Sequence, residues 1–301
     1  MGKPNSPLFA YPKCRQLLAV VAALWLGLVA VIGVASTVGI SEAALEDPLI
    51  SPFFYLALFG CCSLWVLWQY RRRAIDLPTL LGAWPQRPKL LSLVGLWGLL
   101  FIFSLGAFQV SYGLLSYLFP DYVSITLQDS LFLGAGETAV PWLYNLSIAF
   151  VLVVAAPILE EFLFRGFLLH RWGTRWNLPA AVLLSSILFG ILHGNVIGLT
   201  MFGLIMALLY CRTGSLWAVI AVHALNNAIA ASLEIITRLA GSTAPASLAD
   251  LRSNIWFGIV LLGISLPFLL KFIRRNWPQK QTPLPYFINR DSRSTSGDGR
   301  M

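Results

Sequence analysis

The feature that most constrains this chain is a series of long apolar runs that carry no Asp, Glu, Lys or Arg. They fill the interval between Arg15 and Glu42 and then Pro48–Tyr70, Leu90–Pro120, Thr138–Leu159, Trp176–Cys211, Thr213–Leu233 and Ser253–Leu270. A bilayer crossing needs roughly 20 apolar residues, so each run is a candidate spanning helix. Trp176–Cys211 holds 36 residues with Gly194 and Asn195 near its middle, which predicts a tight hairpin of two short helices. Counted twice, it brings the total to eight spans. The wider composition agrees, with 57% hydrophobic and only 11% charged residues among 301. Soluble domains carry about a quarter charged residues, and disordered chains are far less apolar, so both classes are excluded.

Charge sets the expected orientation. With both ends cytoplasmic, every Lys and Arg except Arg238 and Arg252 falls on the inner side, while the loops Ser41–Ser51 and Asp121–Glu137 carry acids and no base. An odd number of spans would scramble that asymmetry. The net charge of +8 is therefore an orientation signal, and no nucleic-acid partner is expected. The expected architecture is all-α, a polytopic membrane helical bundle of about eight transmembrane helices with both termini cytoplasmic, most simply in the plasma membrane. Its first three spans and their loops occupy residues 1–140, a motif-bearing core 141–232, an external loop and last span 233–270, and a basic, disordered cytoplasmic tail 271–301. Cys14, Cys61, Cys62 and Cys211 show no paired spacing and read as small apolar fillers.

Ionisable groups inside such spans cost a few kcal/mol each and point to function. The fourth span ends in Glu160-Glu161-Phe162-Leu163-Phe164-Arg165, the fifth contains Phe189-Gly190-Ile191-Leu192-His193, and the seventh contains His223-Ala224-Leu225-Asn226-Asn227. Glu161 and Arg165 are four apart on one helix face and can pair, whereas Glu160 is rotated about 100° away with no local cation. Such divergent surroundings separate a structural acid from a candidate general base. Pro157 is expected to kink the helix and open room beside them. His223 and Asn227 also share a face and suit a developing oxyanion. Each group has a plainer reading: an ion-pair cluster at a helix end, a hydrogen-bonded interhelical histidine, polar glue between helices. Gly190, Gly194 and Gly198 read as a small-residue groove for helix approach, and His170, beside Arg171, as a surface residue.

Depth favours a common site. At 1.5 Å per residue, Glu160 lies roughly 16 Å from Arg171, His193 roughly 21 Å from Pro179 and His223 roughly 12 Å from Ser215. One carboxylate, two imidazoles and an amide are the parts for activating water and holding a tetrahedral oxyanion. No Ser or Cys stands in a nucleophile motif. Zinc held by Glu160, His193 and His223 is the alternative, without an HExxH helix to support it.

Taken in order, the three motifs resemble those of the CAAX protease and bacteriocin-processing family (CPBP, also called Abi), over about residues 141–232, and Gly214-Ser215-Leu216 fits the same pattern. The resemblance implies an intramembrane endopeptidase with a cavity open to the cytoplasm and no cofactor. It also implies that Glu160 and His193 activate water, that His223 and Asn227 stabilise the oxyanion, and that Glu161, Arg165 and Phe189 support them. Its partners would be the lipid bilayer and a peptide or membrane-protein substrate, which in some family members is lipidated. The rivals are a catalytically silent scaffold or immunity protein and a Glu/His proton-coupled transporter. The transporter would call for an inverted repeat or a second acidic site, and the sequence has neither.

Overall fold

The structure, a computed structural model, describes residues 7–84, 87–128, 131–134, 137–240 and 247–297. Eight helices carry the apolar runs. They are α1 (Cys14–Thr37), α2 (Ile50–Arg71), α3 (Arg87–Leu118), α4 (Pro141–Arg175), α5 (Leu178–Ile191), α6 (Val196–Thr213), α7 (Leu216–Leu239) and α8 (Ile255–Asn276). A ninth, α9 (Pro285–Gly297), follows. Among the described residues there is no strand. Seven of the eight are long and apolar enough to cross a bilayer, and the chain is an integral membrane protein.

α5 is the exception. Its 14 residues reach about 21 Å at 1.5 Å each, short of a hydrocarbon core of about 30 Å. The hairpin therefore turns at residues 192–195, where irregular backbone needs internal partners. Asn195 supplies them: its Oδ1 accepts from Gly198 N at 3.0 Å, capping α6, and its Nδ2 donates to Ser104 O at 3.0 Å. Tyr112 OH donates to Gly194 O at 2.8 Å, so α3 holds the apex from outside. Close approach within the hairpin depends on Gly190, where a Cβ would stand 2.0 Å from Thr200 Oγ1 and 2.6 Å from Val196 O. Gly194 and Gly198 do not share that role, since a Cβ there would meet only the Tyr112 hydroxyl and the Asn195 side chain.

α4 runs through the middle of the fold and departs from α-helical bonding twice, in π-helical turns at Val151–Ala155 and Phe162–Leu169. Its second half is packed on all sides, with every residue from Leu163 to Arg171 buried. α1 is the opposite, with no buried residue.

Two expectations fail at the basic end of the bundle. The tail packs onto the bundle over its described residues: Leu284, Tyr286 and Phe287 are buried and Asn289 Nδ2 donates to Thr79 O and Gly214 O at 2.9 and 2.7 Å. Arg293 pairs with Asp76 at 3.2 Å. The basic, Pro-rich composition hid three apolar side chains that close the core. His170 is likewise no surface residue but fully buried, with its ring 4.7 Å from Phe9 and 5.7 Å from Tyr210. Its Nδ1 donates to Arg165 O at 2.9 Å. The N-terminal turn and the tail cover it, and neither lies near it in sequence.

At the other end, Asp47 joins the starts of α2 and α4. Its carboxylate accepts from Leu49 N, Thr138 Oγ1 and Ala139 N at 2.7–2.8 Å. These bonds hold its pKa below the ordinary value of 3.8. A depressed carboxylate pKa means the clamp is complete above that value and is lost as pH falls through the lower folded one. Asp47→Ala should lower the protection of the Ala139 amide against hydrogen exchange at neutral pH. Unchanged exchange in the variant would contradict this.

Candidate active site

Because Glu161 and Arg165 are one turn apart on α4, the carboxylate Oε2 lies 2.8 Å from Arg165 Nη1, with both side chains fully buried. An ion pair so enclosed needs further partners to offset desolvation. Arg165 Nη2 donates to Gly203 O on α6 at 2.9 Å, and its guanidinium lies 4.9 Å from the centre of the Phe189 ring. The other carboxylate oxygen, Oε1, takes the imidazole of His223 from α7: Nδ1 is 2.8 Å away. The ring packs edge-on to Phe202 at 5.0 Å.

His193 is the one site residue displaced from its expected element. α5 ends at Ile191, and His193 stands in the turn that Asn195 caps. It still reaches the site, because its ring stacks on Phe189 at 4.4 Å and 25°, and its Nδ1 bonds Phe189 O at 2.6 Å. A carbonyl only accepts, so Nδ1 carries the proton. The carboxylate beside His223 Nδ1 imposes the same tautomer there. In both rings Nδ1 is thus the nitrogen that donates to the surrounding protein, and Nε2 is the one turned to the interior.

Those two nitrogens converge on Glu160. His193 Nε2 and His223 Nε2 lie 3.8 and 3.9 Å from Glu160 Oε2, a buried oxygen with no hydrogen-bond partner among the described residues. These separations are too long for direct bonds and suit a single bridging water. Oε1 accepts from Tyr55 OH at 2.7 Å. Tyr55 comes from α2, and nothing in its charge-free run of aromatic residues singles it out.

Asn227 completes the group, one turn below His223 on α7. Its Nδ2 donates to Leu152 O at 2.8 Å. That carbonyl is available for a local reason. In the π-helical turn Ala156 N bonds back five residues to Val151 O, and the next bond in that register would run from residue 157 to Leu152. Pro157 has no N–H to give. Asn226, which reads as packing, donates to Asn227 Oδ1 at 3.4 Å.

These groups line a cavity of about 520 Å³ that continues past Tyr55 and Leu152 to Ser51 and Ile148. It thus extends toward the starts of α2 and α4, away from Arg71 and Arg175, and the buried stretch 163–171 closes the basic end. As to metal, no group of three or more His, Cys, Asp and Glu among the described residues is arranged to hold an ion.

The Rce1-like family profile, described as type II CAAX prenyl endopeptidase Rce1-like, matches residues 141–229. "Putative membrane peptidase YdiL" of Bacillus subtilis (strain 168) is 32% identical over 85 residues, which is 27% of this chain and 35% of the relative. The chain thus spans about a third of the length of that relative. No solved structure matches this chain.

Breaking a buried ion pair from one side costs about 3–5 kcal/mol. Arg165→Ala, which also strips Gly203 O of its donor, should lower thermal stability in detergent by that order. An unaltered melting temperature would contradict the role given to the pair. Over residues 141–229, where its three motifs lie, the chain is similar to the Rce1-like type II CAAX prenyl endopeptidase family.

Proposed function

We propose that this protein is a membrane endopeptidase that hydrolyses a peptide bond with water activated by Glu160. The observation that carries the proposal is the Oε2 of Glu160, buried without a hydrogen-bond partner among the described residues and faced by two imidazole Nε2 atoms at 3.8 and 3.9 Å. A water that donates to Glu160 Oε2 and to His193 Nε2 is oriented by His193 and loses a proton to Glu160 as its oxygen attacks the carbonyl carbon. The oxyanion forms beside α7, where His223, doubly protonated against Glu161, donates through Nε2. The second N–H of Asn227 joins it. Glu160 then gives its proton to the leaving amine as the C–N bond breaks. Glu161 and Arg165 act through His223, and Phe189 through His193; they position.

No step requires a metal or other cofactor, so hydrolysis should persist after chelator treatment. The substrate is a peptide segment of a membrane-embedded or membrane-attached protein. Its flanking side chain or lipid enters the cavity among Tyr55, Phe59, Val151, Leu152 and Phe164. With the basic end cytoplasmic, that cavity draws on the outer half of the bilayer.

Digestion of a membrane-peptide library in proteoliposomes, read by mass spectrometry, tests the proposal. Glu160→Gln should fold and insert normally but lose about 10²–10⁴-fold in rate, the usual contribution of a general base. Undiminished cleavage would refute the role, and loss of wild-type cleavage on chelation would refute the metal-free mechanism. Pro157→Ala offers an independent check, since its new N–H competes with Asn227 for Leu152 O. Cleavage should fall by up to the roughly hundredfold that an oxyanion donor contributes, with melting temperature held or raised. A full rate in this variant would remove Asn227 from the oxyanion site.

A further inference from the structure

A second cavity, of about 240 Å³, lies at the basic end of the bundle between the first turn of α1 and the last turns of α4. Lys13 and Arg15 line it from one side and Arg171, Trp172, Arg175 and Trp176 from the other. No carboxylate is among its lining residues. Arg171 and Arg175 are four apart on one helix face, where like charges repel. Arg171 is also only 8% exposed, and its Nε is buried without a hydrogen-bond partner among the described residues. A guanidinium packed in this way beside three further cations is short of an anion.

The surroundings specify the anion. Trp172 and Trp176, with ring centres 6.2 Å apart, are the side chains that settle at the headgroup level of a bilayer. Leu18, a turn further along α1 from Cys14, is an apolar side chain left 66% exposed. α1 itself has no buried residue, so protein packing alone holds it loosely. Phosphate at the cations with acyl chains along α1 would bridge α1 to α4.

We propose that this cavity is a binding site for the phosphate of an anionic phospholipid, which tethers α1 to α4. The site is independent of the proteolytic reading. Arg171 and Arg175 grip the phosphate, Lys13 and Arg15 close over it, and the tryptophans flank the glycerol backbone.

The test compares thermal unfolding and lipid retention by native mass spectrometry of the full chain in phosphatidylglycerol and in phosphatidylcholine nanodiscs. Phosphatidylglycerol should raise the melting temperature and stay bound to the wild type. Each cation near a charged bilayer contributes about fivefold, so Arg15→Gln/Arg175→Gln, at two exposed positions, should weaken retention by about thirtyfold. Arg171→Gln should weaken it further while melting no lower than wild type in phosphatidylcholine. Lys271→Gln/Arg274→Gln on α8 removes equal charge outside the cavity and should keep the preference. Equal losses in both double variants, or no lipid preference in the wild type, would overturn the site. Equal stabilisation by inorganic phosphate in lipid-free detergent would overturn the lipid as its source.

Discussion

The arrangement depends on one buried ion pair. Glu161 and Arg165 are sealed inside an apolar bundle, where unpaired charges would be prohibitive. The contacts the pair makes beyond itself come from three different helices. Gly203 O fixes α6, the Phe189 ring face fixes the end of α5, and His223 fixes α7. The pair therefore sets the rotation of three neighbours about α4. Because Glu161 faces His223, the adjacent Glu160 faces the Nε2 side of both imidazoles. A structural need and a chemical geometry are met by consecutive residues.

Departures from ideal helix geometry supply the rest. A π-helical turn shifts the carbonyl register ahead of Pro157, and the missing proline N–H leaves Leu152 O to a side chain of α7. A second π-helical turn accompanies the bonds from Tyr70 OH to Gly166 O and from His170 Nδ1 to Arg165 O. Such turns cost regular hydrogen bonds and persist where other groups take them over. Here they weld α2, α4 and α7 around the cavity while keeping its wall polar at chosen points.

The two ends of the bundle differ for reasons of packing. The basic end is closed by Phe9 and by the aromatic residues of the tail, which bury His170. The opposite end is held by hydrogen bonds from Asp47 across the starts of α2 and α4, beside the cavity. One end is a hydrophobic plug and the other a polar clasp. The cavity reaches the clasped end, so the helices preceding the motif-bearing core do more than surround it: α2 contributes Tyr55 to Glu160.

The sequence by itself determined the helices, the hairpin and the intrahelical pairs. Helix length follows from apolar run length, and the 3.6-residue period places Glu161 over Arg165 and His223 over Asn227 whatever surrounds them. It also determined which polar groups the membrane would force together, because few exist. Only the tertiary structure decided what lies across the gaps between helices. Tyr55 on Glu160, Glu161 on His223, Asn227 on Leu152 O, the burial of His170 and the direction of the cavity all depend on which helix lies beside which and at what rotation. Local periodicity holds no record of either, since those choices are made by packing between segments that lie 105 residues apart for Tyr55 and Glu160 and 116 apart for His170 and Tyr286.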